Sequence, residues 1–207
     1  MIAVLSGSRR TRRFALMLVF SALAGHFQPA HAATQDIDVE HSTLTIRVYK
    51  TGLFSAFAHD HEINAPIRQG GFDEDKQAVD LNVDARTLRV ADPGVSASER
   101  AQIQATMLGP KVLDSDQFQE IKFRSTGVER AGEGKWTVNG ELTLHGQTHP
   151  VKVEVQREKG HYRGSAILKQ KEFGITPVSI AGGSVKVKDE IRVEFDIVGK
   201  HSEPTNR

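Results

Sequence analysis

From Asp36 onward apolar and polar residues alternate with period two along most of the chain, which predicts antiparallel strands with one greasy and one wet face. The pattern is clearest from Gly140 to Val155. Leu142 and Leu144 alternate with Glu141, Thr143 and His145, and Gly146 turns the chain. Pro150 then leads into Val151, Val153 and Val155, set between Lys152, Glu154 and Gln156. This is a β-hairpin. Ile37 and Val39 begin an earlier strand that resumes at Leu44, Ile46 and Val48, and Val79, Leu81 and Val83 mark another. Further strands fall at residues 121–125, 136–139, 166–168, 185–188 and 191–197. Gly70-Gly71, Gly132-Glu133-Gly134, Lys159-Gly160 and Ala181-Gly182-Gly183 read as their turns. Strands of this kind close into an all-β antiparallel barrel of about eight strands, whose inward residues surround an apolar lumen.

One segment departs from the pattern. After Pro93-Gly94, Ser96 and Glu99 have capping-box spacing, Ala101, Ile103, Ala105, Met107 and Leu108 favour a helix, and Gly109-Pro110 ends it. A short helix near 96–108 is expected to cover an open end of the barrel or pack across its side, with Ile103, Met107 and Leu108 on one face.

Composition changes the picture mainly at the N-terminus. Arg9, Arg10, Arg12 and Arg13 precede an apolar run at residues 14–25 and the small-x-small site Ala30-His31-Ala32. Residues 1–32 therefore read as a secretory signal peptide whose apolar run is too short to span a bilayer. The expected domain covers 33–199, with a polar tail at 200–207, and the expected location is the periplasm. The full chain has 207 residues and a net charge of +1; without residues 1–32 it has 23 basic and 26 acidic residues. No cationic run remains to bind nucleic acid. The absence of cysteine excludes thiolate catalysis and thiolate metal sites.

The same residues carry a family resemblance. Residues 38–42 at the start of the domain, 114–125 in the middle, the hairpin 140–155 and Lys171-Glu172-Phe173-Gly174-Ile175 occur in the order found in the YceI-like family of secreted bacterial proteins. The chain resembles that family over nearly the whole of 36–198. The resemblance implies a lipocalin-like barrel that binds polyisoprenoid lipids. Lys169-Gln170-Lys171-Glu172 and Ala58-His59-Asp60-His61 depart from the family's usual runs.

The candidate lumen lining is Ile46, Val48, Phe54, Phe57, Leu81, Val83, Met107, Phe123, Leu142, Leu144, Val153, Phe173, Val193 and Phe195. His59, His61, Arg124 and His145 are the candidate headgroup contacts. The expected function is to hold a polyisoprenoid or similar amphiphile, as a binding protein rather than an enzyme and without another cofactor. Two other readings compete. His59 and His61, at i and i+2 on a strand, share a face and suit zinc or copper, with His41, His145 or His149 as a third ligand, in a metal carrier or metal-dependent hydrolase. The alternative to both is a structural protein whose core fills the barrel. Ser125 and Ser165 lack an evident base, and the pairs Asp73/Asp75 and Asp114/Asp116 read as turn formers.

Overall fold

A computed structural model describes residues 35–51, 60–180, 182 and 185–200, all within the unit Ala32–Arg207. Residues 1–34, the stretch 52–59 with Phe54, Phe57 and His59, and the tail 201–207 lie outside the described residues.

Among the described residues twelve strands form one antiparallel sheet. They are β1 (Gln35–Asp36), β2 (Thr43–Thr51), β3 (His61–Asn64), β4 (Ile67–Asp73), β5 (Ala78–Asp84) and β6 (Arg89–Val90). After the helix α1 (Ala97–Leu108) come β7 (Glu120–Gly132), β8 (Lys135–Leu144), β9 (Gln147–Glu158), β10 (His161–Lys169), β11 (Ser179–Ile180) and β12 (Val185–Val198). The neighbours run β4-β5-β7-β8-β9-β10-β12-β2-β3.

The sheet closes on itself through β1. Gln35 and Asp36 pair with Phe72 and Gly71 of β4, and the next residue, Ile37, bridges Gly199 just beyond β12. The Asp38 amide donates to Val198 O and the Lys200 amide to Asp36 O, each at 2.8 Å. The strand pairs β1/β2, β3/β4 and β5/β6 are thus single staves with a break in each. Together with β7, β8, β9, β10 and β12 they make an eight-stave barrel, as the alternation predicts.

Each break has a local cause. Between β3 and β4 stands Pro66, which has no amide to give the ladder. Between β5 and β6, the Asp84 carboxylate accepts from the Arg86 amide and caps a turn of 3-10 helix at Ala85–Thr87. Between β1 and β2, the Asp38 side chain accepts from the Glu40 and His41 amides.

Helix α1 begins at Ser96 with both hydrogen bonds of the capping box. It seals the place where β6 runs out. The Gln104 side chain accepts from the Val90 amide and donates to Leu88 O, both at 2.8 Å, and so stands in for a neighbouring strand. Met107 is buried, and Ile103 and Leu108 pack against the same core cluster, which also contains Leu88, Leu113 and Phe173. A second cluster of Ile37, Ile67, Phe72 and Ile197 lies at the β1 seam, and Leu44 and Leu81 touch both.

Three sequence readings are corrected. Gly70-Gly71 is no turn. It lies inside β4, where a Cβ on Gly70 would sit 2.7 Å from Asp80 O on β5 and 2.8 Å from the Ile37 side chain, so the position needs glycine for the close approach of its neighbours. The chain turns after Asp73 instead. The strand pieces at 185–188 and 191–197 are one strand, β12, with a register shift between Val187 and Ile191. Val39 falls in the turn after β1 rather than in a strand.

Candidate ligand-binding cavity

Alternation sends one set of side chains inward along every stave, and they do not fill the barrel. A cavity of about 390 Å³ remains, within the range of small-molecule sites. Its wall is almost entirely aliphatic and aromatic. Of the expected lining, Ile46, Val48, Leu81, Val83, Met107, Phe123, Leu142, Leu144, Val153, Val193 and Phe195 are on it. Phe173 is not: only 1% exposed, it packs in the core beneath the edge of the His149 ring. Phe54 and Phe57 lie outside the described residues.

Two lumen-facing glycines help keep the space open. Gly140 of β8 lies beneath the Phe123 ring, where a Cβ would come within 2.4 Å of the ring. Gly164 of β10 is paired with Phe195, and a Cβ there would come within 2.6 Å of that ring. Both phenyl groups therefore rest against the wall over a missing side chain. In the sequence each glycine interrupts an inward series, Val138-x-Gly140-x-Leu142 and Tyr162-x-Gly164-x-Ala166. An isolated strand glycine is the available signal for such close approach.

The helix end of the cavity is apolar but for Gln170, with Met107, Val112, Leu113, Leu144 and Leu168; Gln170 Nε2 donates to Lys188 O at 2.8 Å. The opposite end is ringed by Asp73, Glu74 and Gln77 from the β4–β5 connection, with Trp136 and Tyr162. The Tyr162 hydroxyl donates to the Glu74 carboxylate. Burial, and then the neighbouring Glu74, push that phenol up to about 12. The Tyr162 ring leans on Phe72, with centroids 4.9 Å apart. The Arg157 guanidinium lies 5.5 Å from the Tyr162 centroid and 3.3 Å from Glu74. Asp73 accepts from both the amide and the ammonium of Lys76 at 2.9 Å, which holds its carboxyl below the usual range.

The expected headgroup residues are elsewhere. His61 pairs through Nδ1 with Asp92 at 2.6 Å, and Asp92, 1% exposed, also accepts from the Glu62 amide. Arg124 is exposed on the outer face of β7. His145 occupies the β8–β9 turn with φ 51°, its ring stacked against Phe118 and its Nδ1 3.1 Å from Phe173 O. None of the three lines the cavity, and His59 lies outside the described residues. The mouth residues went unread because their spacing belongs to a turn and to a mixed strand, and barrel closure brings them together.

The metal reading rests on His59, which lies outside the described residues, and the other histidines it names are engaged elsewhere. His41 is bound to Asp38 at 2.8 Å, and His149 lies 3.3 Å from Gln147. Among the described residues no group of three or more His, Cys, Asp or Glu is arranged to hold a metal ion. The two serines are committed as well. Ser125 accepts from the Val79 amide at 2.8 Å and Ser165 from Arg192 at 3.1 Å.

A family model described as the YceI-like domain matches residues 35–199, the whole of the barrel. The chain belongs to the YceI-like family. Among curated relatives of this YceI-like protein, a UPF0312 protein of Shewanella oneidensis is 30% identical over 76% of this chain and 86% of its own. A UPF0312 protein of Vibrio cholerae is 25% identical over 80% of this chain and 88% of its own. Among solved structures, Burkholderia cenocepacia BcnA superposes with a TM-score of 0.57 at 18% identity, covering 78% of this chain and 98% of that one. The likeness to BcnA concerns the fold alone. A Campylobacter jejuni YceI protein gives a TM-score of 0.46 at 15% identity, over 68% of this chain and 82% of that one.

Proposed function

We propose that this YceI-like protein is a periplasmic binding protein that carries a polyisoprenoid or similar amphiphilic lipid inside its barrel. One observation supports this above the rest: the cavity runs from an apolar end under α1 to a polar ring at the other end. An isoprenoid tail is flexible and nearly insoluble, and a dry tunnel of branched aliphatic side chains removes it from water without asking for polar contacts. Burying about 500 Å² of tail yields roughly 12 kcal/mol at about 25 cal/mol per Å². Ordering and immobilisation take back several kcal/mol, leaving roughly micromolar to nanomolar affinity. The Arg-rich, apolar N-terminal segment with Ala30-His31-Ala32 supports export.

The test is mass spectrometry of the protein purified from its native compartment, intact and after organic extraction. Near-stoichiometric prenyl-type mass is expected, and Val153→Glu, which places a charge on the wall, is expected to lose it. Val153→Trp fills the space without adding charge and is expected to lose the lipid too. Empty extracts from folded wild type, or undiminished lipid in both folded variants, would overturn the carrier reading.

A further inference from the structure

We infer that the cavity takes amphiphiles with an uncharged, hydrogen-bonding head and disfavours anionic ones, with Glu74 as the residue that sets this preference; the inference rests on the carrier reading above. Among the described residues, the cavity wall includes no Lys, Arg or His. Its acids are Asp73 and Glu74. Asp73 is closed off, with both carboxylate oxygens engaged by Lys76. Glu74 is half exposed and stands at the mouth, joined to the Tyr162 hydroxyl.

The two cations in contact with these mouth acids are each paired, Lys76 with Asp73 and Arg157 with Glu74. Arg157 is also outside the cavity wall, behind the Tyr162 ring. A phosphate or carboxylate head arriving here meets the Glu74 carboxylate, whose charge competes for Arg157. Like charges brought together at a partly dehydrated mouth repel more strongly than in bulk water. A hydroxyl head meets no such barrier. It donates to the Glu74 carboxylate and accepts from the Gln77 amide, both of which border the cavity, while the Tyr162 hydroxyl stays bound to Glu74.

The test uses two ligands with one tail, geranylgeraniol and geranylgeranyl monophosphate, titrated below their micellar concentrations into delipidated protein. The alcohol is expected to bind about tenfold or more tightly than the phosphate at low salt. Glu74→Gln frees Arg157 and is expected to abolish most of that ratio, with a gain in phosphate affinity as the readout. Arg157→Gln keeps Glu74 and removes the cation, so the ratio is expected to hold or grow. Thermal melts of both variants establish that they are folded. Equal affinities in wild type, a tighter phosphate, or the same collapse of the ratio in Arg157→Gln would overturn the Glu74 assignment while leaving the carrier reading intact. If neither ligand binds, the carrier reading fails and this inference falls with it.

Discussion

Gly140 and Gly164 decide where two of the largest lumen side chains sit. Each faces inward on a strand, a position that ordinarily favours a β-branched residue. Each is instead covered by a phenyl ring, Phe123 over Gly140 and Phe195 over Gly164. A Val at 140 places its Cβ where the ring now lies, so Phe123 must swing off the wall into the cavity. Overpacking of this kind costs roughly 1–3 kcal/mol. Gly140→Val is therefore expected to lower the thermal midpoint, and also to weaken binding of a fluorescent apolar probe beyond what the lost stability explains. The double variant Gly140→Val/Phe123→Ala should regain probe binding. If it does not, Phe123 is not what occupies the lumen in the single variant. Both positions also meet backbone, and Gly164 is the more constrained, since a Cβ there falls 1.9 Å from Glu154 O on β9 against 2.7 Å from Arg124 O at Gly140. No rotamer change relieves a clash with backbone.

The elements that sequence pattern predicts well are those whose stability is local or strictly periodic. Ser96 and Glu99 satisfy each other within one helical turn, so α1 is legible without tertiary knowledge. Leu142, Leu144, Val151 and Val153 alternate around a turn with His145 and Gly146 both at positive φ, so the β8–β9 hairpin is legible too. What is not legible depends on contacts across the whole chain. Gly70 looks like a turn glycine until Ile37, more than thirty positions earlier, is laid against it. Tyr162 and Glu74 look like surface residues until closure brings them together. Gln104 belongs to the same class, for its spacing says helix surface while its amide serves as the missing neighbour of β6. Two hydrogen bonds at net contributions of about 1 kcal/mol each are at stake there. Gln104→Ala is expected to destabilise the fold by about 1–3 kcal/mol and to accelerate hydrogen exchange at the Val90 amide more than at β8 amides. Uniform acceleration across the barrel would mean that α1 does not act as a local cover for that edge.

At the scale of the molecule the barrel is uneven around its circumference. The long strands β8 and β9 pair in unbroken register from Lys135 and Gln156 to Leu144 and Gln147, and β7 pairs along β8 with register shifts at Ser125–Gly127 and Arg130–Gly132. The opposite side is assembled from three broken staves and depends on short β1 for closure. Ile37 is central to that seam. It is 2% exposed, borders the cavity, donates its amide to Gly70 O at 2.9 Å and bridges Gly199. Glycine stands on both sides: a Cβ on Gly70 would lie 2.7 Å from Asp80 O, and one on Gly199 would lie 2.5 Å from the Gln35 side chain. A seam held by few hydrogen bonds and one small apolar cluster opens at lower free energy than a continuous meander. The amides of Ile37, Asp38 and Lys200 are thus expected to exchange together, well before those of β7 to β9. Ile37→Ala, which removes about 2–4 kcal/mol of core packing, should speed that group most. Leu113→Ala empties comparable volume at the α1 end and serves as the control. It should lower global stability without singling out the seam. If the two variants give the same exchange pattern, the barrel opens as one cooperative unit. If only Ile37→Ala loosens the three amides and also hastens release of a bound apolar probe, the β1 seam is the route by which the lumen exchanges its contents.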